Sequence, residues 1–406
     1  MPSGRFSLWI AWRYLFAKKS HNAINILTAI SAATIAVGTA ALVCVLSVMN
    51  GFEGLVESMF SAFDAELRIE SAEGKRIAQC DTLIQNLKKI DGIAIISPTI
   101  EETALLKYDE RQEPAILKGV SEDYEQLTDI RSIIVDGTYR VKSNQTQWVI
   151  LGAGLQIKLG LLQQFGAPLT IYCPRRQGRL NTLRPEQSFN QAGVLMSGSF
   201  SVQQTSYDDR YALISIDLAR DIFEYDSTEV TALEIRLRPG TALTATQSKI
   251  RQSIGENYKV LNRYEQQSDF FRIMKIEKWL TFLLLSFILL IATFNVIGSL
   301  SMLRIEKTPD TATLRFLGAP PQTIRRIFIY EGWLITLLGA GAGIVLGIIV
   351  CLIQQHFGII TYGNSEMFIE QAYPVDIRFV DMIATAALVA VLGFLSSLAA
   401  NSQTKK

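Results

Sequence analysis

Cysteine and histidine are scarce in this chain of 406 residues. Its four cysteines, Cys44, Cys80, Cys173 and Cys351, form no C-x-x-C pair, and the two histidines, His21 and His356, are widely separated. Zinc binding and paired cysteine–histidine catalysis both need clustered side chains, so the sequence argues against a metal site and against catalytic residues of that kind. Charge of one sign is lacking too: 39 Lys and Arg against 38 Asp and Glu leave a net charge of +1, which gives no general field for nucleic acid. No G-x-x-x-x-G-K-[ST] occurs, Gly74-Lys75 lacks the rest of that motif, and Gly152-x-Gly154 is only a fragment of a dinucleotide loop. The chain is therefore not expected to hydrolyse ATP by itself. The adjacent carboxylates Asp208-Asp209 read as a solvated pair rather than metal ligands. Cys80 and Cys173 read as unpaired, although an oxidising compartment would permit a disulfide.

What the chain has in excess is apolar sequence. Hydrophobic residues make up 49% and charged residues 19%, and the mean hydropathy is +0.23, which is high for a wholly soluble protein of this size. Four windows reach the roughly 20-residue length that crosses a bilayer. The spans are expected at residues 24–50, 278–303, 331–353 and 377–400. The first is too long for a signal peptide and lacks its cleavage pattern.

Basic residues beside short loops resist translocation and set the orientation. Arg5, Arg13, Lys18 and Lys19 precede the first span, Arg304, Lys307, Arg315, Arg325 and Arg326 lie between the second and third, and Lys405 and Lys406 end the sequence. Residues 1–23, 304–330 and 401–406 are thus expected in the cytoplasm. The loop 354–376 carries Glu366, Glu370 and Asp376 without Lys or Arg and falls outside, together with residues 51–277. That long external segment alternates strand-like runs (104–108, 148–151, 169–172, 232–237) with helical ones (80–90, 244–254), which predicts a folded mixed α+β domain inserted between helices 1 and 2.

Several groups of residues carry more specific expectations. Gly339, Gly343 and Gly347 repeat every four positions in the third span, which lets another helix come close; the partner could be this chain or another. Ala29, Ala33, Ala36 and Ala40 suit similar packing on the first. Asn295, a polar amide in the second span, is expected to hydrogen-bond a neighbouring helix, with substrate contact the alternative. Between the second and third spans, Pro309 and Asp310 suit a first helical turn and Gly318 a stop, so a short helix presenting Leu314, Phe316 and Leu317 would need a partner to cover it. Arg175, Arg176, Arg179 and Arg184 face one acid, Glu186, in a stretch that reads as an exposed interaction loop or a solvated turn.

With these parts in this order, the chain resembles the permease subunits of lipoprotein-releasing ATP-binding-cassette systems (the Lol transporters), within the FtsX-like permeases. The likeness runs nearly the whole length. It is carried by Val45-Leu46-Ser47-Val48-Met49-Asn50-Gly51-Phe52-Glu53, Met274-Lys275-Ile276-Glu277-Lys278, Phe294-Asn295-Val296-Ile297, Leu303-Arg304-Ile305-Glu306-Lys307 and Ala312-Thr313-Leu314-Arg315-Phe316-Leu317-Gly318-Ala319. In the external domain it is carried by Val149-Ile150-Leu151-Gly152-Ala153-Gly154-Leu155 and Gly193-Val194-Leu195-Met196-Ser197-Gly198-Ser199-Phe200.

The resemblance implies a multi-pass subunit of the bacterial inner membrane with its large domain in the periplasm. It implies a second permease subunit, the same or homologous, and cytosolic ATPase subunits that bind ATP and Mg; this chain is then no enzyme and holds no cofactor. A lipoprotein substrate would pass to a periplasmic carrier. Val45, Val48, Met49 and Phe294 would line the acyl-chain path, and Glu306, Lys307, Leu314, Arg315, Phe316 and Gly318 would couple to the ATPase. Arg175, Arg176 and Arg179 would stand where one type of subunit captures the carrier. Two departures from the family stand out. The family's usual tail does not follow the fourth span, and Pro309-Asp310-Thr311 replaces an acidic-apolar start of the coupling helix, which points to an altered fit to the ATPase. Alternatives are a mechanotransmission permease for efflux and a non-transport scaffold that relays ATPase state to a cell-wall hydrolase.

Overall fold

The computed structural model describes residues 3–16, 22–143, 146–161, 166–176, 188–361 and 372–402. It divides into two compact units, Met1–Leu55 with Arg272–Lys406, and Val56–Phe271.

The first unit is helical. Four of its helices are long and apolar enough to cross a membrane: a first (Asn22–Ser61), a second (Ser268–Glu306), a third (Pro321–Phe357) and a fourth (Phe379–Ser402). The first three run well beyond a bilayer's roughly 20 residues. An N-terminal helix (Ser3–Phe16) lays Ser7, Ile10 and Ala11 inward and leaves Phe6, Trp9 and Trp12 exposed. The glycine ladder of the third helix meets the first helix of the same chain. A Cβ on Gly339 would lie 2.7 Å from the Ala32 carbonyl oxygen, one on Gly343 2.4 Å from that of Ala36, and one on Gly347 2.9 Å from Cβ of Val43. Only glycine permits such an approach, in a medium where apolar burial gives little drive to associate.

The facing residues on the first helix correct the alanine stripe expected from the sequence. Ala32, Ile35, Ala36, Thr39, Ala40 and Val43 form the contact, while Ala29 and Ala33 are exposed. The fourth helix closes on the third through Gly393, against the Thr336 side chain, and through Trp333, whose Nε1 donates to the Ala390 carbonyl at 3.0 Å. The second helix is the least embedded of the four, with 17% of its apolar window buried against 28–39% in the others.

The second unit is built on a mixed sheet of eleven strands: β1 (Leu67–Ser71), β2 (Ile93–Tyr108), β3 (Arg111–Val120), β4 (Ile134–Gly137), β5 (Lys142–Ser143), β6 (Thr146–Gly152), β7 (Pro168–Pro174), β8 (Phe189–Phe200), β9 (Tyr211–Ser215), β10 (Ala232–Leu237) and β11 (Tyr258–Asn262). The order is β11-β1-β10-β2-β3-β9-β6-β8-β4, with β5 on β6, and β7 joining β2 and β8. Neighbours are antiparallel except for β3 with β9 and β6 with β8. The sixteen residues of β2 hold the sheet together, pairing with β10 in the first half and with β3 and β7 in the second. The helices Cys80–Leu87, Ile216–Phe223 and Leu243–Ile254 bury one face each. Cys80 and Cys173 are both buried and unpaired, as are the other two cysteines apart from the partial exposure of Cys44.

Candidate functional site

The segment between the second and third helices folds as a short helix, Thr308–Phe316. Pro309 sits in its first turn, Lys307 Nζ lies 2.9 Å from Asp310 Oδ2, and Gly318 leaves the helix at φ +85°, a conformation that L side chains rarely adopt. Its apolar face differs from the one expected. Leu314 turns inward onto the cluster of Ile10, Ala11 and Ile327, whereas Phe316 and Leu317 are 91% and 79% exposed. Arg315 and Gly318 are exposed beside them. Glu306 and Lys307 are drawn into the unit instead: Glu306 Oε2 is buried, and Lys307 Nζ lies 5.0 Å from the centre of the Tyr14 ring.

The register of the first and second helices fixes the depth of the expected acyl-chain residues. Gly38 lies against Leu289, and the Ser31 hydroxyl donates to the Asn295 carbonyl at 3.3 Å. At the other end, Lys278 Nζ donates to Asn50 Oδ1 at 2.7 Å. Phe294 is therefore level with the Ser31 turn and Met49 with the Lys278 turn, about 25 Å apart along the axis at 1.5 Å per residue. Val45, Val48 and Met49 are half-buried. Phe294 is 61% exposed, on a stripe with Leu280, Leu284, Phe287 and Ile291 that the chain's own helices leave uncovered. The residues thus mark two ends of a length of helix surface, not one pocket. Asn295 departs from expectation: its side chain is exposed, and among the described residues none hydrogen-bonds to it, so its backbone carbonyl makes the inter-helix bond.

At the Lys278 end of this unit is a polar cluster that joins Asn50 and Lys278, both in runs that carry the family resemblance, to Asp381, which no sequence pattern above singles out. Asn50 is fully buried and its Nδ2 donates to Asp381 Oδ2 at 2.6 Å; Lys278 Nζ lies 3.1 Å from the same oxygen. Gly51 packs on the backbone of Pro374, where a Cβ would sit 2.5 Å from the carbonyl. Glu53 pairs with Arg378 at 2.7 Å. The signal in the sequence was the Asn-Gly-Phe-Glu run itself, whose polar members interrupt an apolar helix without evident reason.

In the second unit, the expected docking arginines separate. Arg175 is exposed after β7, and its backbone N–H donates to the Ser188 carbonyl at 2.9 Å. Arg176 is occupied: it donates to the Glu224 carbonyl at 3.2 Å, lies 3.7 Å from Glu229 and covers the Tyr225 ring. Its side chain is nevertheless still exposed. Arg179 lies outside the described residues. Asp208 and Asp209 are not a solvated pair either: Asp208 accepts from the Val202 N–H and the Ser201 hydroxyl at 2.7 and 2.8 Å, and Asp209 lies 2.9 Å from Lys158. Among the described residues no three His, Cys, Asp or Glu side chains gather as a metal site would require.

A buried ion network crosses the sheet. Register sets Arg68 on β1 opposite Glu234 on β10, and Glu101 on β2 opposite Lys118 on β3. Arg68 grips Glu101 with two guanidinium nitrogens at 2.8 and 3.0 Å, and Lys118 Nζ lies 2.8 Å from Glu234. Burial alone would push the Glu101 carboxyl up, but Arg68 and Lys118 bring it down to about 2. Burial wins at Glu234, whose carboxyl is raised despite Lys118 and Arg68. Asp64 is likewise raised by burial, where the Tyr207 hydroxyl donates to it at 2.5 Å.

Two family models account for most of the chain. Residues 28–253 match the family described as the MacB-like periplasmic core domain, and residues 282–406 match the FtsX-like permease C-terminal family. The lipoprotein-releasing system transmembrane protein LolC of Neisseria meningitidis serogroup B is 27% identical over 99% of this chain and 97% of its own. The corresponding LolE of Haemophilus influenzae is 24% identical over 98% and 96%. Among solved structures, the periplasmic region of MacB from Actinobacillus actinomycetemcomitans aligns with 53% of this chain and 97% of its own, at 10% identity and a TM-score of 0.37. A MacB-like core domain covering more than half of the sequence, an FtsX-like C-terminal region after it and full-length likeness to LolC and LolE together identify the chain as a member of the MacB-like core-domain family and, within it, of the Lol-type permeases: a multi-pass membrane protein with a periplasmic domain.

Proposed function

We propose that this chain is the permease subunit of an ATP-driven transporter that extracts lipoproteins from the bacterial inner membrane and passes them to a periplasmic carrier. The observation that carries the reading is likeness over nearly the entire length to relatives named as lipoprotein-releasing transmembrane proteins. Efflux and hydrolase signalling have no comparable support. The charge pattern puts both termini and the Thr308–Phe316 helix in the cytoplasm, and the mixed domain, inserted between the first and second spans, in the periplasm.

On this reading ATP and Mg belong to a cytosolic ATPase, and Phe316 and Leu317, flanked by Arg315 and Gly318, are the surface it covers. Exposure of 91% and 79% for two large apolar side chains in water is the support for that assignment. A second permease subunit, the same or homologous, faces the uncovered stripe of the second helix. Phe294 at one depth and Val45, Val48 and Met49 at the other line a path for acyl chains, whose removal from water is worth about 0.8 kcal/mol per methylene. In the periplasm, Arg175, Arg176 and Arg179 are the arginines assigned to a carrier.

A photocrosslinker in place of Phe294 tests the path. It should capture lipoprotein before ATP is added and lose it afterwards. Capture of bulk phospholipid alone, indifferent to ATP, would count against release.

A further inference from the structure

The second helix is packed on its own chain from Leu289 inward and reaches it again near its outer end. At the inner end the Arg304 guanidinium reaches the Ala400 carbonyl at 3.2 Å and the Asn401 side chain. At the outer end it is held by Lys278, through Asn50 of the first helix and Asp381 in the first turn of the fourth. Inward it packs through Leu289, Val296, Leu300 and Leu303, whereas none of residues 279–288 is buried.

The outer attachment is built with care. Asn50 is 0% exposed and uses both ends of its amide, accepting from Lys278 and donating to Asp381 at 2.6 Å and to the Asp376 carbonyl at 3.3 Å. Lys278 and Asp381 keep 28% and 20% of their side-chain surface. The loop leading into the fourth helix is fixed to the same place: the Asp376 N–H donates to the Ser47 carbonyl at 2.9 Å, and Arg378 spans Asp376 and Glu53. The first and fourth helices therefore form a fixed seat, and Lys278 joins the second helix to it. A single ammonium on a flexible stem suits a contact that is made and broken, because it needs no planar alignment as an arginine fork does.

We propose that Asn50, Lys278 and Asp381 form a releasable clamp that sets the outer end of the second helix, and that they act as positioning residues for the lipid path along it. The clamp is closed in this structure; the helix swings from its inner attachment when Lys278 leaves. This assignment rests on the lipoprotein-release reading for its consequence, but not for its mechanics.

The test uses the full chain assembled with its ATPase in lipid nanodiscs and vesicles, comparing Lys278→Met, Asp381→Asn and the reversed pair Lys278→Asp with Asp381→Lys. The Asn50 amide can turn over to serve the reversed charges, and one long and one short side chain still span the gap. Amide hydrogen exchange over residues 272–284 should quicken at least tenfold in both single variants, stay unchanged over 300–306, and return to within twofold of the original in the reversed pair. Lipoprotein released per ATP hydrolysed should fall at least fivefold in the single variants with ATPase binding intact, and recover in the reversed pair. Exchange within twofold of the original in both single variants overturns the clamp. Faster exchange with an unchanged release ratio overturns its positioning role. If the unaltered protein releases no lipoprotein, the functional reading fails while the exchange result still decides the clamp. Should Lys278→Met not insert, Asp381→Asn decides between these outcomes alone, since it keeps the shape of the side chain.

Discussion

Lys118 is 0% exposed, on a strand that sequence alone would give one solvated face. Its charge is tolerable only because Glu234 and Glu101 lie 2.8 and 3.5 Å away, and Arg68 closes the set from the far side of Glu101. Removing one member leaves another charge buried and uncompensated, which costs more than the pair contributes. The Glu101 carboxyl ionises at about 2 in the fold and near 4.5 ordinarily, so its stabilisation is present above 4.5 and is lost as pH falls through about 2. Glu101→Gln should therefore destabilise the domain by on the order of 3 kcal/mol at pH 7, read as faster hydrogen exchange in β2 of the full chain, and the gap should close by pH 2. A gap that stays constant from pH 7 to 2 would show that the ionised carboxylate is not its source. None of this was legible in the sequence. Arg68, Glu101, Lys118 and Glu234 are isolated charges, and only strand register brings them together.

Elements were more legible than the contacts between them. Apolar length alone marked the four membrane helices, and alternation marked the strands that became β2, β6, β7 and β10. The four-residue repeat of Gly339, Gly343 and Gly347 pointed to close packing, but could not name the first helix as partner because any helix can fill such a groove. The rotation of a short helix was equally hidden. In Thr308–Phe316, pattern gave Leu314, Phe316 and Leu317 one exposed face, and the N-terminal helix then took Leu314 for itself. The two sides of this helix should therefore respond differently to substitution. Phe316→Asp should abolish copurification of the ATPase while leaving the chain's own stability within about 0.5 kcal/mol, as for an exposed position. Leu314→Ala should instead destabilise the packing on Ile10 and Ala11 by roughly 1–3 kcal/mol with the ATPase still bound. Retention of the ATPase by Phe316→Asp would remove this surface from the coupling site.

At the scale of the whole molecule, the chain joins a bundle of long helices to a domain with its own sheet and its own buried cores. Such a division suits work done across a membrane, where hydrolysis on one side must be felt on the other through helices that pass between. Composition alone pointed to a membrane, and the basic residues gave the expected topology. The cargo followed from neither, since apolar helix faces serve lipid, partner and substrate alike; it came from full-length likeness to lipoprotein-releasing relatives. The direct measurement is transfer of a triacylated, labelled lipoprotein from vesicles containing this chain and its ATPase to a soluble acceptor. Transfer should require ATP, this chain and the acceptor together. ATP hydrolysis that stimulates export of a soluble cargo or a cell-wall hydrolase, with the lipoprotein remaining in the vesicles, would contradict a role in lipoprotein release.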